Sequence, residues 1–247
     1  METSEEGCVK NTAERILEVE HLSVTLDGKQ VLHNISFSLN QGEALAIVGP
    51  NGAGKTVLFR ALLGSAPYTG DIRWKDGIKI GYVPQRFAVD KNIPLTVREF
   101  FLLKAPRFWF PPRAFMRHVS HELSAGGLTR SILRQQLGEL SGGELQRVLI
   151  SWAMVGHPSV LLFDEPTAGI DVGAEETTYD LIRRLRRERH TACILISHDL
   201  HVVSTYAEHV LSINREMIAY GSPQEVLSRR GLSKLYGTGT VVHRLEQ

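Results

Sequence analysis

The sequence predicts an α/β fold: a mostly parallel sheet with covering helices, an antiparallel β unit on its N-terminal side and an inserted helical unit. Three observations predict it. Ile16–Leu26 and Val31–Leu39 alternate apolar and polar residues around the turn signal Asp27-Gly28-Lys29-Gln30, the pattern of a hairpin. Ala44–Val48 is a continuous short apolar run, as in a strand buried on both faces. From Ser141 onward strand-like and helix-like segments alternate, the mark of a parallel sheet with helices packed on it.

Each element follows in order. Residues 1–14 are polar and read as a flexible N-terminus, which leaves 15–247 as a single domain. After the hairpin and the Ala44–Val48 strand, a helical pattern runs from Thr56 to Leu63, then short strands fall near Asp71–Trp74 and Ile78–Val83. Over residues 95–150 the texture becomes helical, broken by Pro106, Pro111 and Pro112, and reads as the inserted helical subdomain. Helix 142–156, strand 160–163, helix 174–189, strand 193–197 and helix 199–207 come next. Strand His209–Ile213, a turn at Asn214-Arg215 and strand Met217–Tyr220 lead to Ser222-Pro-Gln-Glu225. That tetrapeptide is a capping box with proline at the first helical position, opening a C-terminal helix region over 222–247.

Composition narrows the function classes. The chain has 28 basic and 27 acidic residues, so the clear basic excess of a phosphate-neutralising nucleic-acid binder is missing. Cys8 and Cys193 are far apart, which excludes a disulfide framework or a CxxC zinc site and suits a reducing compartment. The acidic start Met1-Glu-Thr-Ser-Glu-Glu is unlike a signal peptide, and no apolar run approaches the ~20 residues of a membrane span. A soluble chain, free to dock on a membrane protein, is expected.

Gly49-Pro50-Asn51-Gly52-Ala53-Gly54-Lys55-Thr56 fits G-x-x-x-x-G-K-[ST] and lies between a buried strand and a helix, the context that gives the pattern its meaning. Glycines let successive N–H groups curl around phosphate oxygens, and the helix start adds the positive end of its dipole. Lys55 would reach the β- and γ-phosphates, and the Thr56 hydroxyl would ligate Mg²⁺. Val160–Phe163 then ends in Asp164-Glu165. In a parallel sheet that strand end faces the ligand side, so Asp164 would serve Mg²⁺ and Glu165 would take a proton from the attacking water. Alone, such a pair is an ordinary solvated strand end; beside Lys55 it points to ATP hydrolysis.

Ser141-Gly142-Gly143-Glu144 opens a further helix. The capping-box spacing accounts for Ser141 and Glu144 but not for the two glycines, each costing about 1 kcal/mol in a helix relative to alanine. Bare backbone there admits a phosphate to the helix's positive end. The chain thus carries two anion-binding helix starts and one lysine-bearing loop, one more anion site than a single nucleotide needs.

Six motifs occur together in order: Gly49–Thr56, Gln85 in Tyr82-Val-Pro-Gln-Arg86, Leu140-Ser-Gly-Gly-Glu-Leu-Gln-Arg147, Phe163-Asp-Glu-Pro-Thr167, Ala168-Gly-Ile-Asp171 and Ser197-His198-Asp199. This set resembles the nucleotide-binding subunit of an ABC transporter over roughly residues 16–225. The resemblance implies a P-loop ABC ATPase core and a homodimer in which two copies sandwich two ATP molecules head to tail. The phosphate loop of one copy would face the Ser141-Gly142-Gly143 of the other, which accounts for the spare anion site. It implies that Glu165 is the general base, that His198 contacts the γ-phosphate, that Gln85 approaches Mg²⁺ and water, and that Asp171 lies in the loop crossing the dimer interface. The chain would sit on the cytoplasmic face of the inner membrane, bound to permease subunits and served by a periplasmic or surface metal-binding protein.

Finer texture is similar to the ATPases of bacterial zinc-uptake importers, with manganese and iron relatives near: Ile80-Gly-Tyr-Val-Pro-Gln85, Ile93-Pro-Leu-Thr-Val97, Gly143-Glu-Leu-Gln-Arg-Val148, Tyr179-Asp-Leu-Ile182 and Ser197-His-Asp-Leu-His201. Two departures stand against the pattern. Leu26 occupies the position where an aromatic residue often stacks on adenine, and only His243 represents the histidine-rich tail of the zinc branch. Other cargo, or a nucleic-acid-linked ABC ATPase, remain open readings. The second usually inserts a long coiled coil between the two helix starts, whereas here they are residues 56 and 141 of one compact stretch. A regulatory module without turnover should lack the base that Glu165 provides.

Three features have plainer readings. His198, His201 and His209 lack a third ligand at a recognised zinc spacing. The run Arg183-Arg-Leu-Arg-Arg-Glu-Arg189 suits the negative end of its helix dipole and reads as a solvated helix end. Ala105–Pro112, with its aromatic and proline residues, reads as packing of the helical insert.

Overall fold

The computed structural model describes residues 14–85, 87, 93–106, 111–166 and 172–236. Its elements are β1 (Arg15–Leu26), β2 (Lys29–Asn40), β3 (Ala44–Val48), α1 (Lys55–Leu62), β4 (Thr69–Trp74), β5 (Ile80–Val83), α2 (Val97–Leu102), α3 (Arg113–Ala125), α4 (Gly142–Met154), β6 (Val160–Asp164), α5 (Val172–Arg189), β7 (Ala192–Ile196), α6 (Leu200–Tyr206), β8 (His209–Asn214), β9 (Glu216–Gly221), α7 (Pro223–Val226) and α8 (Arg229–Tyr236). Two 3₁₀ turns, Arg130–Arg134 and Leu137–Glu139, separate α3 from α4.

The strands form one sheet in the order β4-β1-β2-β9-β8-β3-β7-β6-β5. β8, β3, β7, β6 and β5 run parallel, while β4, β1 and β2 are antiparallel, so the mixed sheet read from the sequence is observed. The hairpin turn is tighter than the four-residue signal. Leu26 pairs with Lys29, and Asp27 and Gly28 take φ of 49° and 73°. Two positive φ values make the primed turn whose twist matches that of the flanking strands.

The apolar runs earn their continuity. β3, β6 and β7 are buried along their whole length, and their side chains alternate between two cores. Ala44, Ala46 and Val48 face the core shared with α2–α5, while Leu45 and Ile47 face the core under β1, β2 and α1. The C-terminal ends of β3, β7, β6 and β5 therefore lie side by side at one rim, in register at Ile47–Ile196, Asp164–Ile196 and Val83–Phe163. Ligands bind at this kind of rim in open α/β sheets. Among the described residues no helix is long and apolar enough to cross a membrane.

α2 opens on a capping box that the sequence reading passed over. Thr96 Oγ1 accepts from the Glu99 N–H, and the Glu99 carboxylate accepts from the Thr96 hydroxyl and then the Thr96 N–H, which together hold the Glu99 carboxyl below its ordinary range. The boxes at Ser141/Glu144 and Ser222/Glu225 form as read. The arginine run differs in part from its expectation. Arg186 pairs with Glu208, Arg189 with Glu122, Arg184 donates to the Ala125 carbonyl, and Arg183 lies 4.2 Å over the Tyr206 ring. Arg186 and Arg189 dock α5 on its neighbours, because the fold brings acids and carbonyls from distant segments to that helix end, while Arg184 and Arg187 stay exposed as expected. Residues 1–13, four of the Ala105–Pro112 residues (107–110) and the stretch 237–247 with His243 lie outside the described residues.

Candidate functional site

The site starts from the turn between β3 and α1. Gly54 adopts φ of 96°, open to glycine, and a Cβ there would meet the Leu32 side chain at 2.5 Å. At Gly49 a Cβ would lie 2.2 Å from the Ile213 carbonyl oxygen of β8. Both glycines let the loop lie flat against the sheet. Lys55 folds back along it, donating from Nζ to the carbonyls of Gly49 (2.9 Å) and Pro50 (3.0 Å), and is itself buried. Its ammonium is thereby carried to the mouth of the loop.

Beside the loop, Asp164 ends β6 in a buried position. Thr56 Oγ1 lies 3.4 Å from its Oδ1, and the Tyr82 hydroxyl on β5 is its further polar neighbour. Burial pushes the Asp164 carboxyl above its ordinary range, with the neighbouring Glu165 charge adding to it; Thr56, Lys55 and Tyr82 pull it back. Burial and the Asp164 charge likewise raise the Tyr82 phenol. Tyr82 has no role assigned by the motif Tyr82-Val-Pro-Gln-Arg86 itself. Strand alternation beside β6 is the signal that finds it.

Glu165 turns the chain out of the sheet at φ of 48°, an unusual conformation for glutamate. Its N–H is anchored on the Ile196 carbonyl at 3.1 Å. The carboxylate sits between two partners: Gln85 Nε2 donates to Oε2, and His198 Nε2 lies in hydrogen-bonding contact with Oε1. His198 is itself aimed by a local turn. The Asp199 N–H donates to Ser197 Oγ at 3.1 Å, and the Asp199 carboxylate caps α6 by accepting from His201 N–H and Val202 N–H. Backbone strain of this kind, held by surrounding structure, collects at reacting sites.

Asn51, Gly52, Ala53, Gly54, Lys55, Thr56, Gln85, Glu165 and His198 line one open cleft of ≈670 Å³. Residues separated by over a hundred positions in sequence thus share one space. Val31 completes a wall of it. Leu26, read as the adenine-side residue, is not among the lining and packs on the core beneath β1 and β2 instead. Ser141, Gly142 and Gly143 are also not among the lining residues, and Ser141 and Gly142 are exposed at the start of α4. Asp171 lies outside the described residues. His201 is exposed, and among the described residues no group of three His, Cys, Asp or Glu is placed to hold a metal ion. Buried Cys193, its thiol pushed up to about 12 by burial, is chemically quiet.

The arrangement can bind a polyphosphate at the loop, hold an ion at Thr56 and Asp164, and place a carboxylate where the terminal phosphate would be attacked. The family model for the ABC transporter matches residues 32–168. The chain is 39% identical to the zinc import ATP-binding protein ZnuC 1 of Hahella chejuensis over 225 residues, covering 90% of this chain and 84% of that one. It is 39% identical to the zinc import ATP-binding protein ZnuC of Yersinia enterocolitica, with 90% and 85% covered. Among solved structures it is similar to an inward-facing conformation of a metal-chelate type ABC transporter (TM-score 0.82, 25% identity, 90% and 89% covered). It is also similar to cbiO1 of Clostridium perfringens, part of the ABC transporter complex cbiONQ (TM-score 0.75, 26% identity, 95% and 100% covered). With its phosphate loop, its acid pair and this match over more than half its length, the chain belongs to the ABC transporter family, as an ATP-hydrolysing subunit.

Proposed function

We propose that two copies of this chain close head to tail on two ATP molecules and that their hydrolysis drives import of zinc through membrane permease subunits. The observation that carries the reading is Glu165, held between Gln85 and His198 at the rim of the Lys55 loop. In each site the loop Gly49–Thr56 binds the phosphates, with Lys55 at the β- and γ-oxygens. Thr56, Asp164 and Gln85 would hold Mg²⁺. Hard oxygen donors 3.4 Å apart, one of them a buried carboxylate raised in pKa, fit such a cation. When bound, the ion supplies neutralisation of the phosphate oxygens' charge.

Glu165 orients water and takes its proton as the oxygen bonds to the γ-phosphorus and the β–γ bridging oxygen leaves with ADP. His198 hydrogen-bonds the γ-phosphate, and Gln85 relays the state of the site to the permease. The exposed start of α4 supports a second role: Ser141, Gly142 and Gly143 complete the site of the partner copy, with Asp171 in the loop that crosses between them. The names of the relatives support zinc as cargo; a periplasmic or surface metal-binding protein would deliver it, and the chain would sit peripherally on the cytoplasmic face of the inner membrane.

The test is cellular metal content in metal-limited medium, comparing wild type with a strain carrying only Glu165→Gln. A selective fall in zinc is expected. A fall in manganese or iron moves the cargo, and no change in any metal with ATPase activity abolished overturns the metal reading.

A further inference from the structure

Glu122 lies in the last turn of α3, outside the lining of the nucleotide cleft, yet its side chain is 0% exposed. A lone carboxylate so buried is rare unless paired. Its partner comes from α5: Arg189 Nη1 is 3.0 Å from Oε1 and 2.9 Å from Oε2. His118 Nε2 and His121 Nδ1 approach Oε1 at 3.6 and 3.5 Å. Burial lowers the His118 pKa, which favours a neutral ring, and the ring packs 4.3 Å from His157. Arg189 is thus the permanent cation of the cluster.

The same residue grips α4. The Glu122 carbonyl accepts from Ser151 Oγ at 3.1 Å in a buried position. One turn later Gly126 lies against that hydroxyl so closely that a Cβ would sit 2.6 Å from it. Across α4, Lys104 Nζ donates to the Trp152 carbonyl at 2.8 Å, and Trp152 Nε1 donates to the Phe100 carbonyl at 3.2 Å. The C-terminal half of α4 is therefore clamped from both sides, while its N-terminal turn carries Ser141-Gly142-Gly143. Ser151 is about 15 Å along the helix from Ser141 at 1.5 Å per residue, so a small tilt at the clamp becomes a displacement at the anion-binding turn.

We infer that Glu122, through its ion pair with Arg189 and its carbonyl bond to Ser151, is a positioning residue that aims the Ser141-Gly142-Gly143 turn at the partner copy's ATP. The inference rests on the head-to-tail reading above. It predicts an effect in trans: altering Glu122 should impair the site that uses this copy's α4, not the site on this copy's own phosphate loop.

The experiment uses tagged heterodimers of the full chain in which one copy carries Lys55→Ala, leaving a single competent site, and reads ATP cleavage in a single turnover. Glu122→Gln placed in the Lys55→Ala copy is expected to lower cleavage at least tenfold relative to the Lys55→Ala/wild-type pair. Placed in the other copy it should leave the rate within twofold. Equal loss from either position, or loss from neither, overturns the inference. Ser141→Arg in the same two positions is the control. If it shows no such asymmetry, the head-to-tail reading falls and takes this inference with it; if it does while Glu122→Gln does not, only this inference falls. Should Glu122→Gln not fold, the Glu122→Gln/Arg189→Gln chain leaves no uncompensated buried charge and is tested identically.

Discussion

Replacing Glu165 with glutamine isolates the proton-accepting role from the shape of the site. The side chains have the same number of heavy atoms, and glutamine tolerates the 48° φ as well as glutamate does. The amide also satisfies both neighbours. Its oxygen accepts from Gln85 Nε2 where Oε2 did, and its NH₂ donates to His198 Nε2 when the imidazole carries its proton on Nδ1. What is lost is the basic lone pair. A positioned general base contributes roughly 10²–10⁴-fold, so turnover of Glu165→Gln should fall by at least ~10², an increase of about 2.7 kcal/mol or more in the barrier. Nucleotide affinity, set by the loop and Lys55, should hold or rise, and the variant should accumulate as a closed dimer with ATP.

Phosphate release by the purified chain measures the first quantity. Equilibrium binding of ATP and light scattering measure the other two. Hydrolysis at the wild-type rate by Glu165→Gln, with an unchanged melting temperature, would refute the general-base assignment.

Asp164→Asn should raise the melting temperature of the nucleotide-free chain at neutral pH while abolishing turnover: a carboxyl whose pKa is raised by folding supports the fold below its unfolded pKa and withdraws that support as pH rises through the raised value, so its ionised form costs stability and the amide does not. A pH series of thermal melts checks it, since the gap between variant and wild type should close on acidification. Gly49→Ala should destabilise the fold by about 1–3 kcal/mol in denaturant titration, because the new methyl meets the Ile213 carbonyl oxygen at 2.2 Å and backbone must shift. Val31→Tyr should tighten ATP relative to pyrimidine nucleotides by about 0.5–1.5 kcal/mol in competition binding, by giving the cleft wall a ring on which adenine stacks; unchanged selectivity would place the base elsewhere.

The sequence by itself determined what depends on neighbours three or four residues apart and on apolar period. The phosphate loop, the boxes at Ser141/Glu144 and Ser222/Glu225, and the buried runs Ala44–Val48 and Val160–Phe163 are such features, and they appear within a residue or two of their expected bounds. Each is a local balance of hydrogen bonds, φ preference and hydrophobic patterning, so the chain alone carries it. The six motifs in order also sufficed to mark the family. Tertiary structure decided which distant groups meet. Gln85, Glu165 and His198 converge because β5, β6 and β7 lie side by side and parallel, with their C-terminal ends at one rim. Val31 reaches the cleft and Leu26 does not, because the tight turn at Asp27-Gly28 sets the register of β2. The arginine run reads from sequence as a solvated helix end, and no local pattern singles out Glu122. Only packing α3 against α5 removes water from Glu122 and makes Arg189 its counter-charge, a choice made by desolvation across 67 residues that no local pattern encodes.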